Sequence, residues 1–313
     1  MATPLVIGGK PIGRMRASIL LFKETFRFFW ADKEMLWVPI ITLLLQLVII
    51  GVAVVACIFT GFPPDEETTN VSSSQNAFGL VGLLIFYTAC AFTVVSAQAT
   101  ITHIVYTRIH GGDASLGQGI GVAIKNAGKL LLWALITSTV GLILRLIAER
   151  SALLMKIVIA IIGAAWSVLT YFTVSAIIID KKPVTDAIKH SGLVFRRTWG
   201  ETIVTSISFG LAFFLFYAVL ILGIVGVLAV SGTLLGSHGL FVVSLICGVV
   251  FIVALIGSII LSSVLDSVLR TLLYVYASEN ITPTNFNSEL LEKMLVRKAI
   301  PVQVVQPVPQ NTI

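Results

Sequence analysis

Apolar residues occur in six long runs separated by short polar connections, and this pattern dominates the chain. The runs cover about residues 36–59, 77–105, 130–148, 152–179, 201–231 and 240–265. Each run is long enough for a helix to cross a hydrocarbon core, which takes about twenty residues. The runs are continuous, whereas the strands of a membrane barrel alternate apolar and polar residues. The sequence therefore predicts six transmembrane helices.

Composition agrees with a membrane protein. Hydrophobic residues make up 57% of the 313 residues and charged residues only 12%. A soluble domain of ordinary composition has about a quarter of its residues charged. The predicted fold class is an all-α integral membrane protein, and no short apolar run with a cleavage site indicates a removable signal peptide.

Lysine and arginine are distributed unevenly among the connections. Alternate connections hold eighteen and three of the 21 basic residues. The positive-inside rule then places both termini and the connections 106–129 and 180–200 in the cytoplasm, and the acidic segment 65–67 outside. We expect a protein of the plasma (inner) membrane. The net charge of +6 is explained by topology, so we expect no nucleic-acid partner.

A short string occurs twice. AIKNAG occupies residues 123–128 and AIKHSG residues 187–192, and each precedes a tryptophan and an apolar run. At helical spacing, each string places apolar residues on one side and lysine on the other. Leu193 is the exception in the second copy, because it falls among basic residues. A looser relative, residues 16–30, precedes the first apolar run.

These strings predict a threefold repeat of a cytoplasmic amphipathic helix followed by a transmembrane hairpin. Such a helix lies in the interface and buries its apolar face at the acyl boundary, while basic residues meet anionic headgroups. The alternative is that the helices only pack against the bundle. The predicted headgroup contacts are Arg16, Lys23, Arg27, Lys125, Lys129, Lys189, Arg196 and Arg197.

The layout resembles uncharacterised six-span membrane protein families of bacteria, and loosely the membrane domain attached to some glycerophosphodiester phosphodiesterases. The resemblance depends on the two AIK strings, on WALITSTVG at 133–141, on TWGE at 198–201 and on the spacing of the three units. It covers most of residues 14–278. It implies the fold and no activity, because the soluble phosphodiesterase domain has no counterpart in this chain.

The sequence offers no recognisable catalytic chemistry. Its four histidines are scattered without metal-ligand spacing, and its three cysteines lie within the apolar runs. The glycine-rich segment 111–121 lacks the GK[ST] ending of a phosphate loop. We therefore expect a protein that is not an enzyme and has neither a metal nor a cofactor. Arg145 with Glu149, and Asp266 with Arg270, have the spacing of helical ion pairs.

Polar residues concentrate near the cytoplasmic end of the second run. Ser96, Gln98, Thr100, Thr102 and His103, with Gln46 of the first run, form a candidate polar groove. These residues either line a cavity or form interhelical hydrogen bonds. The favoured function is a membrane organiser or accessory subunit that acts on lipid or on a protein partner, including a second copy of the chain. The alternative is a transporter or channel for a small solute or lipid.

Three segments make up the predicted domain organisation. Residues 1–13 are expected to be a flexible N-terminus, residues 14–278 the membrane domain, and residues 279–313 a cytoplasmic tail with a short helix and a mobile end. Asn70-Val71-Ser72 is a glycosylation acceptor only in a cell that glycosylates.

Overall fold

The computed structural model describes residues 5–7, 10–12, 33–60, 73–233 and 238–279, and side chains over 34–59, 79–196, 214–223, 225–226 and 248–279. Two three-residue strands, β1 (Leu5–Ile7) and β2 (Lys10–Ile12), pair antiparallel with Val6 opposite Pro11. All other regular structure described is helical. After a 3-10 turn at Lys33–Leu36, the helices are α1 (Trp37–Thr60), α2 (Ser73–Ile109), α3 (Leu116–Lys125), α4 (Ala127–Glu149), α5 (Leu153–Leu169), α6 (Thr173–Ile178), α7 (Val184–Thr233) and α8 (His238–Glu279).

Five helical segments in the described part of the chain are long and apolar enough to cross a membrane. They are Glu34–Phe59, Gly79–Ile109, Ala127–Glu149, Leu153–Ile178 and Gly248–Glu279. They coincide with the first four and the last of the six predicted runs. The predicted run at 201–231 lies in α7, where the described side chains include the short apolar segment Phe214–Gly223. The predicted helical class is thus confirmed, with five helices that could span a membrane.

The buried core lies at one end of the helical bundle. It is formed by the C-terminal parts of α2 and α8, the N-terminal part of α7, and all of α6. Residues 95–109 and 264–275 supply much of it, and Met35 of the 3-10 turn is fully buried there. At the other end, apolar side chains of α1, α4, α5 and α7 are exposed. We call these the packed end and the open end.

The longest helices exceed the thickness of a membrane. At 1.5 Å per residue, the 37 residues of α2 span about 55 Å. The hydrocarbon core is only about 30 Å thick. The helices must therefore continue beyond the hydrocarbon. An exposed apolar surface of this extent at the open end is suited to contact with lipid.

The two AIK strings differ in how they join the following run. In the first copy, Asn126 ends α3 and separates it from α4, and its side-chain amide donates to the Val122 carbonyl at 2.9 Å. In the second copy, His190 takes the equivalent position and α7 continues unbroken to Thr233. Asparagine competes for backbone hydrogen bonds in this way, which explains the difference. Ser115 begins α3 with the capping box that includes Gln118.

The fourth predicted run is not one continuous helix. Residues 170–172 form a turn between α5 and α6. Neither glycine nor proline is present there. The break therefore depends on tertiary contacts that the local sequence does not reveal.

Several predicted features lie outside the described residues. These include the amphipathic segment 16–30 with Arg16, Lys23 and Arg27, the acidic segment 65–67 and Asn70, and the tail beyond Glu279. The side chain of Arg197 is also outside the described set. Predictions for these residues stay predictions.

Candidate functional site

An exposed face of α7 combines basic and apolar side chains at the packed end. Lys189, Leu193 and Arg196 are all exposed, with Leu193 59% exposed. Their spacing places them within about 60° around the helix. A leucine between two basic residues on an exposed helical face is typical of contact with a membrane interface. Leu193, which did not fit the amphipathic pattern, lies on this exposed face.

The first copy presents a similar but shorter surface. Ile124 is 69% exposed and Lys125 beside it is also exposed. Lys129 differs, because its Nζ donates to the carbonyl of Lys181 at 2.8 Å. This lysine links the start of α4 to the connection before α7. Of the predicted headgroup contacts with described side chains, Lys125, Lys189 and Arg196 are exposed.

The opposite faces of these helices contact the protein interior. Val184, Ala187 and Phe195 are buried in the core at the packed end, and Phe195 is only 5% exposed. On α3, Ala123 is buried at the position equivalent to Ala187. The amphipathic pattern predicted that these apolar faces lie at the acyl boundary. The structure instead packs them against neighbouring helices, as in the alternative interpretation.

Close packing of α3 on α2 depends on a glycine. A Cβ atom at Gly119 would lie 2.8 Å from Cγ2 of Thr100 and 3.1 Å from its carbonyl oxygen. The helices therefore approach more closely than a larger residue allows. This contact fixes the position of α3, and with it Lys125, beside the bundle.

The six residues of the candidate groove are distributed over different places. Ser96 and Thr100 line one cavity, described below. Thr102 is fully buried on the side of α8, where Thr271 donates to its hydroxyl at 3.2 Å. Gln46 donates to the Cys90 carbonyl at 2.9 Å and to the Thr93 hydroxyl at 2.7 Å. Gln98 and His103 are partly buried on α2. The side chains of Gln46, Thr100 and Thr102 thus take part in interhelical or intrahelical hydrogen bonds.

The first cavity has a volume of about 220 Å³ and lies between α1, α2 and α3. Its wall is mainly apolar, and Thr100 bonds back to the Ser96 carbonyl of its own helix at 2.9 Å. The lining residues are Val38, Ile41, Thr42, Leu45, Phe92, Thr93, Ser96, Ala97, Thr100, Ile120, Ala123, Ile124 and Ala127.

A larger cavity, the lateral cavity, lies between α1, α2 and α4 and has a volume of about 510 Å³. Val94 on its rim is 54% exposed, so the cavity opens sideways from the bundle. Its lining residues are Gln46, Tyr87, Cys90, Ala91, Val94, Val95, Thr137, Ser138, Gly141, Leu142 and Arg145.

Ser138 and Arg145 line different parts of the lateral cavity. Ser138 and Thr88 share a hydrogen bond of 2.8 Å, so the Ser138 hydroxyl is satisfied inside the protein. At the other end, Arg145 donates from Nε to Glu149 at 2.7 Å and from Nη1 to the Tyr87 hydroxyl. The predicted ion pair of Arg145 and Glu149 is confirmed. The Arg145 side chain remains 58% exposed.

A second set of polar side chains connects helices at the packed end. Asp180 lies 2.7 Å from Lys182 Nζ and 3.3 Å from His190 Nε2. On the α2 side, His110 Nε2 lies 2.9 Å from the Glu279 carboxylate at the end of α8. These pairs join the end of α6 to the start of α7, and the end of α2 to the end of α8. They strengthen the packed end.

The turn between α5 and α6 is held by the second AIK string. The buried Ser191 hydroxyl accepts a hydrogen bond of 2.9 Å from the backbone N–H of Phe172. The Arg270 guanidinium lies over the Tyr171 ring, 4.3 Å from its centroid, and pairs with Asp266 at 2.7 Å. The pairing of Asp266 and Arg270 was predicted, whereas the role of Ser191 was missed. The repeated string singled out Ser191 without indicating its partner.

Within the described residues, no three histidine, cysteine, aspartate or glutamate side chains are grouped to hold a metal ion. The packed end has two histidine–carboxylate pairs, His190–Asp180 and His110–Glu279. The pair of His110 and Glu279 joins residues that lie 169 positions apart in the sequence.

Comparison with known proteins gives one finding. The model of a family of unknown function (DUF6159) matches residues 77–284, which is about two thirds of the chain. No curated protein matches, and no solved structure matches. The expected resemblance to an uncharacterised family is confirmed, and the likeness to the phosphodiesterase membrane domain stays a prediction.

Proposed function

The chain belongs to this family of unknown function, and we propose that it is a membrane organiser or accessory subunit without enzymatic activity. In this proposal the open end is embedded in lipid and the packed end projects beyond the hydrocarbon. Its exposed basic residues bind anionic headgroups or a partner. The observation that carries the proposal is the exposed face of Lys189, Leu193 and Arg196 on α7.

Six spans and a threefold repeat belong to this proposal. Five spans are described, and α7 is helical throughout the predicted fifth run, including the apolar segment Phe214–Gly223. That continuity supports a sixth crossing. The repeat is supported by equivalent burial in the two AIK strings: Ala123 and Ala187 are buried, while Lys125 and Lys189 are exposed.

Orientation follows from the basic residues. Lys189 and Arg196 at the packed end belong to the basic-rich set of connections. The positive-inside rule therefore favours a cytoplasmic packed end, cytoplasmic termini and a plasma-membrane location. On that side, the leaflet carries anionic lipids that attract lysine and arginine.

Charge reversal tests the proposed lipid contact. Lys189→Glu and Arg196→Glu are expected to weaken retention of phosphatidylglycerol by about fivefold each, since a basic residue near a membrane surface contributes about 1 kcal/mol. Native mass spectrometry of the full-length protein measures the lipid retained. Lys189→Arg is the matched control, because it keeps the positive charge at the same exposed position. Unchanged retention in both α7 variants would reject this surface as the lipid contact.

Transport is the alternative function, and the positions of the polar residues favour it less. Thr102 contacts α8, whereas Ser96 and Thr100 line the cavity beside α3. The residues therefore do not face one common route. Saturable solute flux in reconstituted vesicles that is lost in Gln98→Leu would move the protein to the transporter class.

A further inference from the structure

We infer that the lateral cavity binds one acyl chain of a phospholipid, with the lipid phosphate at Arg145. This inference rests on the proposed membrane insertion. It concerns the leaflet at the C-terminal end of α4, opposite the surface formed by Lys189 and Arg196. It therefore adds a second lipid site with a different chemistry.

The position of the cavity defines its surroundings. All of its lining residues lie on α1, α2 and α4, which are described spans. From Tyr87 to Val95 the cavity follows eight residues of α2, which corresponds to about 12 Å along the helix. It opens past the exposed Val94 toward the hydrocarbon. An occupant entering by this route comes from the membrane.

Volume distinguishes an acyl chain from a partner helix. A helix is at least about 10 Å wide with its side chains, so a 12 Å length of helix occupies roughly 900 Å³. The cavity holds about 510 Å³. A slimmer occupant fits this space better. Cavities of about 300–1,000 Å³ also match those that bind small ligands.

The chemistry of the two ends matches an amphiphile. Gln46 and Ser138 are satisfied by hydrogen bonds within the protein, which leaves that part of the wall suited to an apolar chain. At the other end Arg145 uses two of its five N–H donors, for Glu149 and Tyr87. The remaining donors can bind phosphate oxygens. The exposed ion pair of Arg145 and Glu149, which are one helical turn apart, contributes little free energy. It therefore does not prevent Arg145 from binding a phosphate.

Local charge also favours an anionic headgroup. Arg145, Arg150 and Lys156 are the three basic residues that the positive-inside rule does not explain. Against them, Glu149 is the one acidic residue in 145–156, which gives this hairpin a charge of +2 (three minus one). A lipid phosphate complements that charge.

Filling the cavity tests the site. Gly141 lines the cavity and a Cβ atom there meets nothing within 4 Å, so Gly141→Leu adds a side chain at the cavity wall. Gly128→Leu is the matched control, because Gly128 is on the same helix, is equally open and does not line the cavity. Ala91→Leu fills the cavity from α2 and serves as a second variant if Gly141→Leu does not fold.

Native mass spectrometry of the full-length protein, mixed with phosphatidylglycerol or phosphatidylcholine, gives the readout. Wild type and Gly128→Leu are expected to hold one more lipid than the filled variants. Arg145→Gln should reduce the preference for phosphatidylglycerol by about fivefold while lipid still binds. Inorganic phosphate should not compete, since the acyl chain supplies much of the affinity.

Three results would overturn the inference. The first is equal lipid occupancy in wild type and both filled variants. The second is competition by inorganic phosphate that displaces the bound species. The third is a disulfide-linked dimer formed by Val94→Cys in a cysteine-free background, which would identify a second copy as the occupant. If the first result comes together with loss of lipid in Lys189→Glu, this site is rejected and the proposed function stands.

Discussion

Ser191 illustrates how one buried hydroxyl controls the path of the chain. The turn at 170–172 interrupts the helical hydrogen bonds of the fourth span, and the Phe172 N–H is paired by the Ser191 hydroxyl. A buried N–H without a partner costs about 1–3 kcal/mol. Ser191 therefore makes this break compatible with a buried position. The first AIK string has Ala127 there, and α2, which precedes that string, is one helix from Ser73 to Ile109.

Replacing Ser191 by alanine should lower stability by about 1–3 kcal/mol, because the Phe172 N–H loses its acceptor. Thermal unfolding in detergent measures the change. Ser267→Ala is the control, since the buried Ser267 hydroxyl bonds to the Ser263 carbonyl of its own helix at 3.0 Å. Removing that bond leaves the helix ladder intact. Equal stability of Ser191→Ala and Ser267→Ala would show that the turn does not depend on this hydrogen bond.

At the scale of elements, α7 has two faces with different partners. Its buried face, which includes Val194 and Phe195, packs in the core, and the ring centroids of Phe195 and Phe172 lie 6.3 Å apart. Its exposed face carries Lys189, Leu193 and Arg196. The face of α7 on which a charge is introduced should therefore decide whether stability or lipid retention changes.

Phe195→Glu should lower the free energy of unfolding by about 3 kcal/mol or more, because it removes a buried ring and buries a carboxylate. Leu193→Glu should change it by no more than about 0.5 kcal/mol. The exposed variant should nevertheless retain less anionic lipid. Chemical denaturation and lipid counting separate the two effects. A strong loss of stability in Leu193→Glu would place that face in a protein contact.

Sequence reasoning succeeded where the governing interaction is local. Apolar runs predicted the helices, and i,i+4 spacing predicted the Arg145–Glu149 pair, whose atoms lie 2.7 Å apart in the structure. It failed where the partner is distant along the chain. The Tyr87 contact of Arg145 spans 58 residues, and the His110–Glu279 pair spans 169. Helical periodicity identifies an apolar face but not the surface that covers it, which is why the packing of Phe195 was missed.

Among the described residues, the stabilising contacts are concentrated at one end of the molecule. Between helices in lipid, burial of apolar surface provides little driving force, because lipid is as apolar as the side chains. At the packed end, by contrast, the core residues and the His110–Glu279 pair hold helices that extend beyond the hydrocarbon. The open end can then keep gaps such as the lateral cavity without loss of the fold.

The number of membrane crossings is a prediction about the whole molecule. Single cysteines at Thr68, Lys189 and Ser237 in a cysteine-free background should report it with an impermeant maleimide. With six spans, Thr68 and Ser237 react in intact cells, and Lys189 reacts only after permeabilisation. Ser237 decides between five and six spans, because α7 must cross the membrane to place it outside. Labelling of Ser237 only after permeabilisation would mean that the 50 residues of α7 do not cross.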